Sequence, residues 1–291
     1  MESIEVAYSR CEDITGSQAR NFSYGIRLLP PEKRRAMSAI YAMARRIDDI
    51  GDGGLTTVAK LDALEQARSA LHAIQRASVS GEAPADLEGD AVVAALADTA
   101  RRFPIPMEAF GELVQGCEMD ALGTVYETFD DLVKYCQRVA GSIGRLSLGV
   151  FGSSDPGAAK DKADALGVAL QVTNILRDLV EDREVLGRVY LPRQDLLRFG
   201  VNAHLVGTPD NLVALVLYEA RRALPWWEEG LSLLPLLDRR SRACVGAMAG
   251  IYRRLFDSIQ RQPAAVLSAR LSLPVWEKAW VATRALAGAG T

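Results

Sequence analysis

The sequence predicts an all-α protein folded as one domain over residues 1–291. Almost every long segment repeats its apolar residues at helical spacing, while strand signals are scarce. The breaks between segments are short Gly/Pro clusters, none long or simple enough for a domain linker, and no repeat recurs at a fixed period. With 49% hydrophobic and 24% charged residues, the chain has the composition of a soluble globule able to bury a large core.

The first strong helix is expected over residues 32–49, opened by Pro30-Pro31 and Glu32 and followed by Gly51–Gly54, since proline and acid favour a helix start and glycine its end. Further helices are expected at about 55–79, 88–102, 106–121, 129–151, 158–186, 209–234, 238–261 and 273–287. Gly81–Pro84, Pro104–Pro106, Gly152–Gly157, Gly207–Pro209 and Gln262-Pro263 separate them. Three stretches are rich in small residues: Ala140–Gly144, Ala165–Ala169 and Ala243–Gly250. Small residues allow close helix contact, and they equally leave room between helices for an apolar ligand. Composition does not choose between the two.

The net charge of −3 with no basic tract argues against a nucleic-acid partner. Cys11, Cys117, Cys136 and Cys244 show neither disulfide nor metal-ligand spacing, as expected of free thiols in a reducing cytoplasm. The N-terminus lacks an apolar signal core, and no run of about 18 apolar residues occurs. A cytoplasmic protein is expected, with peripheral contact at the inner face of a membrane left open.

Two acidic clusters carry the functional signal: Asp48-Asp49-Ile50-Gly51-Asp52 and Asp178-Leu179-Val180-Glu181-Asp182. Each places two aspartates four residues apart, so both carboxylates share one helical face. Like charges at that spacing cost an isolated helix roughly 0.2–0.5 kcal/mol. Both clusters also sit near expected helix C-termini, where the macrodipole disfavours anions. Tyr41, Arg45, Asp48 and Asp52 form one helical stripe; Gln171, Asn174, Asp178 and Asp182 form a second. A solvated face would pair Arg45 or Arg46 with Asp49 and Arg177 with Glu181. That explanation suits one cluster better than two of matching spacing. Mg²⁺ prefers octahedral oxygen sites built from one or two carboxylates, waters and substrate phosphates. Facing aspartate pairs with basic neighbours therefore suit a metal-bound diphosphate, which can depart and leave a carbocation without a protein nucleophile. His72 and His204 stand outside any acid or cysteine constellation. No G-x-S-x-G, Walker A or G-x-G-x-x-G loop is present.

These two motifs, with Ala19-Arg20-Asn21-Phe22-Ser23-Tyr24-Gly25-Ile26-Arg27-Leu28-Leu29-Pro30 upstream and Gly187-Arg188-Val189-Tyr190-Leu191-Pro192 downstream, resemble the squalene/phytoene synthase family over nearly the whole chain. The resemblance implies an isoprenoid-synthase helical bundle with a central apolar cavity. It also implies head-to-head joining of two prenyl diphosphates with Mg²⁺ (Mn²⁺ as a substitute). By position, Asp48, Asp52, Asp178 and Asp182 would hold metal, with Asn174 as a further ligand and Gln171 beside it. Arg45, Arg177, Arg188 and Tyr190 would contact diphosphate. Ser23, Tyr24, Tyr41, Tyr135 and Tyr252 would lie in or near the cavity, Tyr135 and Tyr252 on context alone. Arg270 is the candidate for a C-terminal basic contact, although its segment aligns less cleanly.

Within the family the wording looks most like bacterial presqualene diphosphate synthases of the hopanoid pathway. That implies two farnesyl diphosphates as substrates, a reaction stopping at the cyclopropyl diphosphate, no NADPH, and downstream squalene-pathway enzymes as partners. Phytoene synthase and squalene or dehydrosqualene synthase are the same-family alternatives. A non-catalytic prenyl-diphosphate-binding relative is disfavoured because all four motif aspartates are present. Either the released diphosphate or Tyr41 could accept the proton lost on ring closure.

Overall fold

Helix follows helix along the whole described chain because the local start and stop signals agree with the apolar spacing. The computed structural model describes residues 4–19, 21–80 and 89–288; Arg20 and the expected Gly81–Pro84 break lie outside them. Its α-helices are α1 (Ile4–Gln18), α2 (Phe22–Ile26), α3 (Pro31–Asp52), α4 (Thr57–Ser80), α5 (Ala91–Arg102), α6 (Glu108–Ala121), α7 (Phe129–Cys136), α8 (Ser142–Phe151), α9 (Pro156–Arg177), α10 (Leu179–Glu181), α11 (Arg193–Arg198), α12 (Pro209–Leu231), α13 (Arg239–Arg261) and α14 (Val275–Leu286). No strand occurs among the described residues.

Side-chain caps fix several starts. Asp90 accepts from the Val92 and Val93 amides, and Thr128 with Asp131 forms a reciprocal capping box. Asp155 and Thr208 each cap a helix whose first turn holds proline. These caps satisfy amides that would otherwise lack partners at a helix start.

The structure departs from the expected elements in three places. α1 and the short helices α2 and α11 were not expected. The helix expected over 129–151 is interrupted by a π-turn at Gln137–Gly141 between α7 and α8. The helix expected over 158–186 ends at Arg177; Asp178 has φ −105° and ψ 13°, and a second π-turn, Asp182–Leu186, follows α10. Gly187 closes that turn at φ 66°, a left-handed conformation that glycine adopts without a Cβ penalty.

α3, α6, α8, α9 and α13 pack around one continuous core, with α12 against α9, α1 against α3 and α5, and α14 against α13. The small-residue stretches let some of these helices touch backbone to backbone. A Cβ on Gly167 would fall 2.6 Å from the Gly141 nitrogen, and one on Gly144 would fall 2.9 Å from the Ala163 carbonyl oxygen. Ala140, Gly144, Ala163 and Gly167 also line the main cavity. Both readings of these stretches therefore hold.

Candidate active site

The cavity measures about 300 Å³, the lower end of the range typical for small-molecule sites. Its walls are apolar for most of its depth, with Phe22, Ile40, Leu113, Phe151, Leu233 and Met248 from six different segments. Its polar end is made by Tyr41, Arg45 and Asp48 from α3 and by Gln171 and Asn174 from α9. Three residues of the first expected stripe and two of the second thus meet in one place.

The remaining aspartates sit just beyond this end. The amide of Asp182 donates to the Asp178 carbonyl at 2.8 Å, so helical spacing survives locally although the helix itself has ended. Arg188 bridges back to α3, donating to Asp52 at 2.6 Å and to the Gly51 carbonyl at 2.9 Å. Arg45 pairs with Asp48 at 3.1 Å and also with Asp49. Arg46 pairs with Asp90 instead of Asp49. Arg177 holds its neighbour Asp178 at 2.8 Å, not Glu181, and its guanidinium lies 5.9 Å from the Tyr252 ring centre. Arg270 arrives from the segment before α14 and pairs with both Asp178 and Glu181 at 3.1 Å.

The carboxylates repel one another across the gap. Burial, then the charge of Asp52, pushes the Asp48 carboxyl up to about 7. Burial, then Asp178 and Asp52, pushes Asp182 up to about 7 as well. Asp52 raises the value of an acid in each cluster, so the two clusters share one electrostatic field. Asp182 has no ion-pair partner among the described residues.

Of the other expected residues, Tyr135 and Tyr190 do not line the cavity. Both hydroxyls donate to Asp120, at 2.9 and 3.1 Å, and their rings cluster with Tyr126. Burial raises Asp120 to about 6, while Arg188 and the two tyrosines oppose that rise. Tyr190 also lies 3.4 Å from Arg188. Asp120 was not among the expected site residues, and its link to Arg188 and Tyr190 adds it. From α2 the cavity takes Phe22 and Ile26, whereas Ser23 is buried beside it and Tyr24 is half-buried. Tyr252 packs on Phe22 at 5.9 Å between ring centres.

The donors fit magnesium. Asp48, Asp52, Asp178, Asp182 and Asn174 offer hard oxygens only, and the buried Asn174 Oδ1 has no hydrogen-bond partner. No group of three or more His, Cys, Asp or Glu among the described residues is close enough to hold an ion by itself. Hard oxygen donors suit a cation that keeps waters and takes substrate phosphate oxygens as further ligands.

A family model described as squalene/phytoene synthase matches residues 15–277. The chain belongs to the squalene/phytoene synthase family. This is a family of head-to-head prenyltransferases. A phytoene synthase of Mycobacterium tuberculosis is 48% identical over 297 residues, covering 100% of this chain and 94% of the relative. A 15-cis-phytoene synthase of Synechococcus elongatus is 34% identical, covering 96% and 92%. Among solved structures, a dehydrosqualene synthase in complex with a ligand superposes with a TM-score of 0.85 at 29% identity, covering 98% of this chain and 97% of the other. A squalene synthase from Alicyclobacillus acidocaldarius superposes at 0.77 with 30% identity, covering 89% and 95%. The expected family and all-α isoprenoid-synthase fold are thereby established. No described helix is long and apolar enough to cross a membrane.

Proposed function

We propose that the chain is a phytoene synthase, condensing two geranylgeranyl diphosphates head to head in a Mg²⁺-dependent reaction. The observation that carries this reading is an apolar cavity whose polar end gathers Asp48, Asn174, Gln171, Arg45 and Tyr41, in a chain 48% identical along its whole length to a protein named phytoene synthase. Burying methylenes at about 0.8 kcal/mol each gives a prenyl chain a gross gain on the order of 10 kcal/mol before the costs of association.

Asp48, Asp52, Asp178, Asp182 and Asn174 would hold Mg²⁺, which supplies charge neutralisation that makes diphosphate a leaving group. Arg45, Arg177, Arg188 and Arg270 orient the two diphosphates and meet the charge released as the first one departs. The C2–C3 double bond of the second substrate then attacks C1 of the allylic cation, and loss of a proton closes a cyclopropane. The departing diphosphate, released beside the cation, is the base that takes the proton; burial holds the Tyr41 hydroxyl above its usual range. Departure of the second diphosphate, rearrangement and a further proton loss give the hydrocarbon without a reductant.

The presqualene diphosphate reading remains the second one, favoured by the squalene-type structural neighbours and by the wording around Arg45 to Asp52. Incubation with geranylgeranyl or farnesyl diphosphate and Mg²⁺, with and without NADPH, separates the two. Phytoene from the longer substrate without NADPH is the expected outcome. Accumulation of presqualene diphosphate from the shorter substrate, with the longer one inert, would replace this assignment by the second reading.

A further inference from the structure

α14 turns two tryptophans outward. Trp276 is 70% exposed and Trp280 54%, with Val275 beside them at 71%, whereas Trp227 is fully buried in the core. Positions 276, 280 and 284 are spaced by four, so the indoles and Arg284 form one stripe along the helix. Arg284 also lines a cleft of about 900 Å³ between α13 and α14, together with Arg253, Arg254, Arg261 and Asp257. Arg253 pairs with Asp257 and Arg254 with Glu277. Arg261 donates only to a backbone carbonyl, and Arg284 has no partner among the described residues. The cleft thus carries uncompensated positive charge in a chain whose net charge is −3.

We propose that the exposed face of α14 docks on the surface of an anionic lipid bilayer. Indole rings pair an apolar body with a polar N–H and favour the depth of lipid headgroups. The adjoining arginines complement anionic headgroups, which draw basic side chains to a membrane surface. The same stripe of two indoles without the cationic cleft would suit a second protein equally well; the uncompensated arginines select the lipid. Trp276 follows Arg270 by six residues, and Arg270 pairs with Asp178 and Glu181. The docking itself rests on exposure and charge, independently of which prenyl chain the site accepts.

The test is co-sedimentation of the full chain, without substrate, with vesicles of phosphatidylcholine alone or mixed with phosphatidylglycerol. Binding is expected only to the mixed vesicles, with a blue shift of tryptophan emission and release by added salt. The Trp276→Ser/Trp280→Ser double variant should lose the emission shift and most of the binding. Arg284→Glu should weaken binding by roughly fivefold or more, the scale of one cation at such a surface. All these side chains are exposed, so far-UV circular dichroism and the thermal midpoint should match wild type. Failure to bind mixed vesicles, or binding that survives both variants, would overturn the proposal. So would a wild-type dimer that the tryptophan variant converts to a monomer, since a second copy would then cover this face.

Discussion

Arg45, Arg177 and Arg270 pair with Asp48 and Asp178, so a diphosphate bound here would compete with these carboxylates for the guanidiniums. Asp48→Asn or Asp178→Asn should lower kcat by roughly a hundred- to a thousandfold, the scale for losing one group preorganised against developing charge. The thermal midpoint of Asp48→Asn should hold or rise slightly, because the substitution removes a charge that Asp52 repels. Full activity in either variant, or in EDTA, would contradict the metal assignment. A carboxyl far from this chemistry gives a pH prediction. Glu219 is fully buried with neither oxygen hydrogen-bonded; burial first and Asp195 second raise it from 4.5 to about 8. Between those values the unfolded chain releases the proton and the folded chain keeps it, so stability falls as pH rises and then levels off. Glu219→Gln should match wild type near the lower value and exceed it by roughly 4–5 kcal/mol near the upper one, measured by denaturant unfolding across that window. The paired aspartates were legible from sequence because their spacing repeats. Asp120 was not, because it is a lone acid whose partners Tyr135 and Tyr190 lie 15 and 70 residues away.

At the scale of elements, α3 was readable because Pro30-Pro31 and the following glycines agree with its apolar period. α1 was missed because its buried positions are Ala7, Tyr8, Cys11 and Thr15, a helical period written largely in small or weakly apolar residues. The π-turns were missed for a different reason: an extra residue per turn hardly disturbs a short apolar pattern, so 129–151 and 158–186 read as unbroken helices. Both irregularities fall beside the site, one at the cavity wall through Val139 and Ala140, the other at Asp182. The close approach of α9 to the first π-turn can be tested directly. Gly167→Ala would put a methyl group 2.6 and 2.7 Å from backbone atoms of Gly141 and Ala140, which cannot rotate away. A loss of roughly 1–3 kcal/mol is expected from overpacking, together with weaker prenyl-chain binding, because Ala140 and Gly167 line the cavity. Gly111→Ala on α6, where nothing lies within 4 Å of the new methyl, should instead be neutral or stabilise by up to about 1 kcal/mol. Equal effects of the two substitutions in thermal unfolding would show that helix propensity, not contact, governs Gly167.

At the scale of the whole molecule, the bundle brings three helix C-termini to one mouth. α3 ends at Asp52, α6 carries Asp120 in its last turn, and α9 ends beside Asp178. Each C-terminus adds roughly half a negative charge to that of its carboxylates. Arg188 links Asp52 to the Asp120–Tyr190 pair, and Asp52 acts on Asp182 across the gap. A diphosphate alone would enter against this negative field, and a cation held by one or two carboxylates would still need further oxygen ligands. Binding should therefore be cooperative, each component completing the site for the other. A non-reacting prenyl diphosphate analogue in EDTA should leave the thermal midpoint nearly unchanged, and Mg²⁺ alone should raise it only slightly. Together, with the analogue at a hundred times its Kd, they should stabilise the fold by about 2.7 kcal/mol, or roughly 5–10 °C. The same experiment on Asp182→Asn distinguishes shared metal binding from simple charge relief. If Asp182 only repels its neighbours, the variant should bind the analogue in EDTA as well as wild type binds it with Mg²⁺. If Asp182 shares the metal, the joint shift should shrink while the analogue alone still gives none.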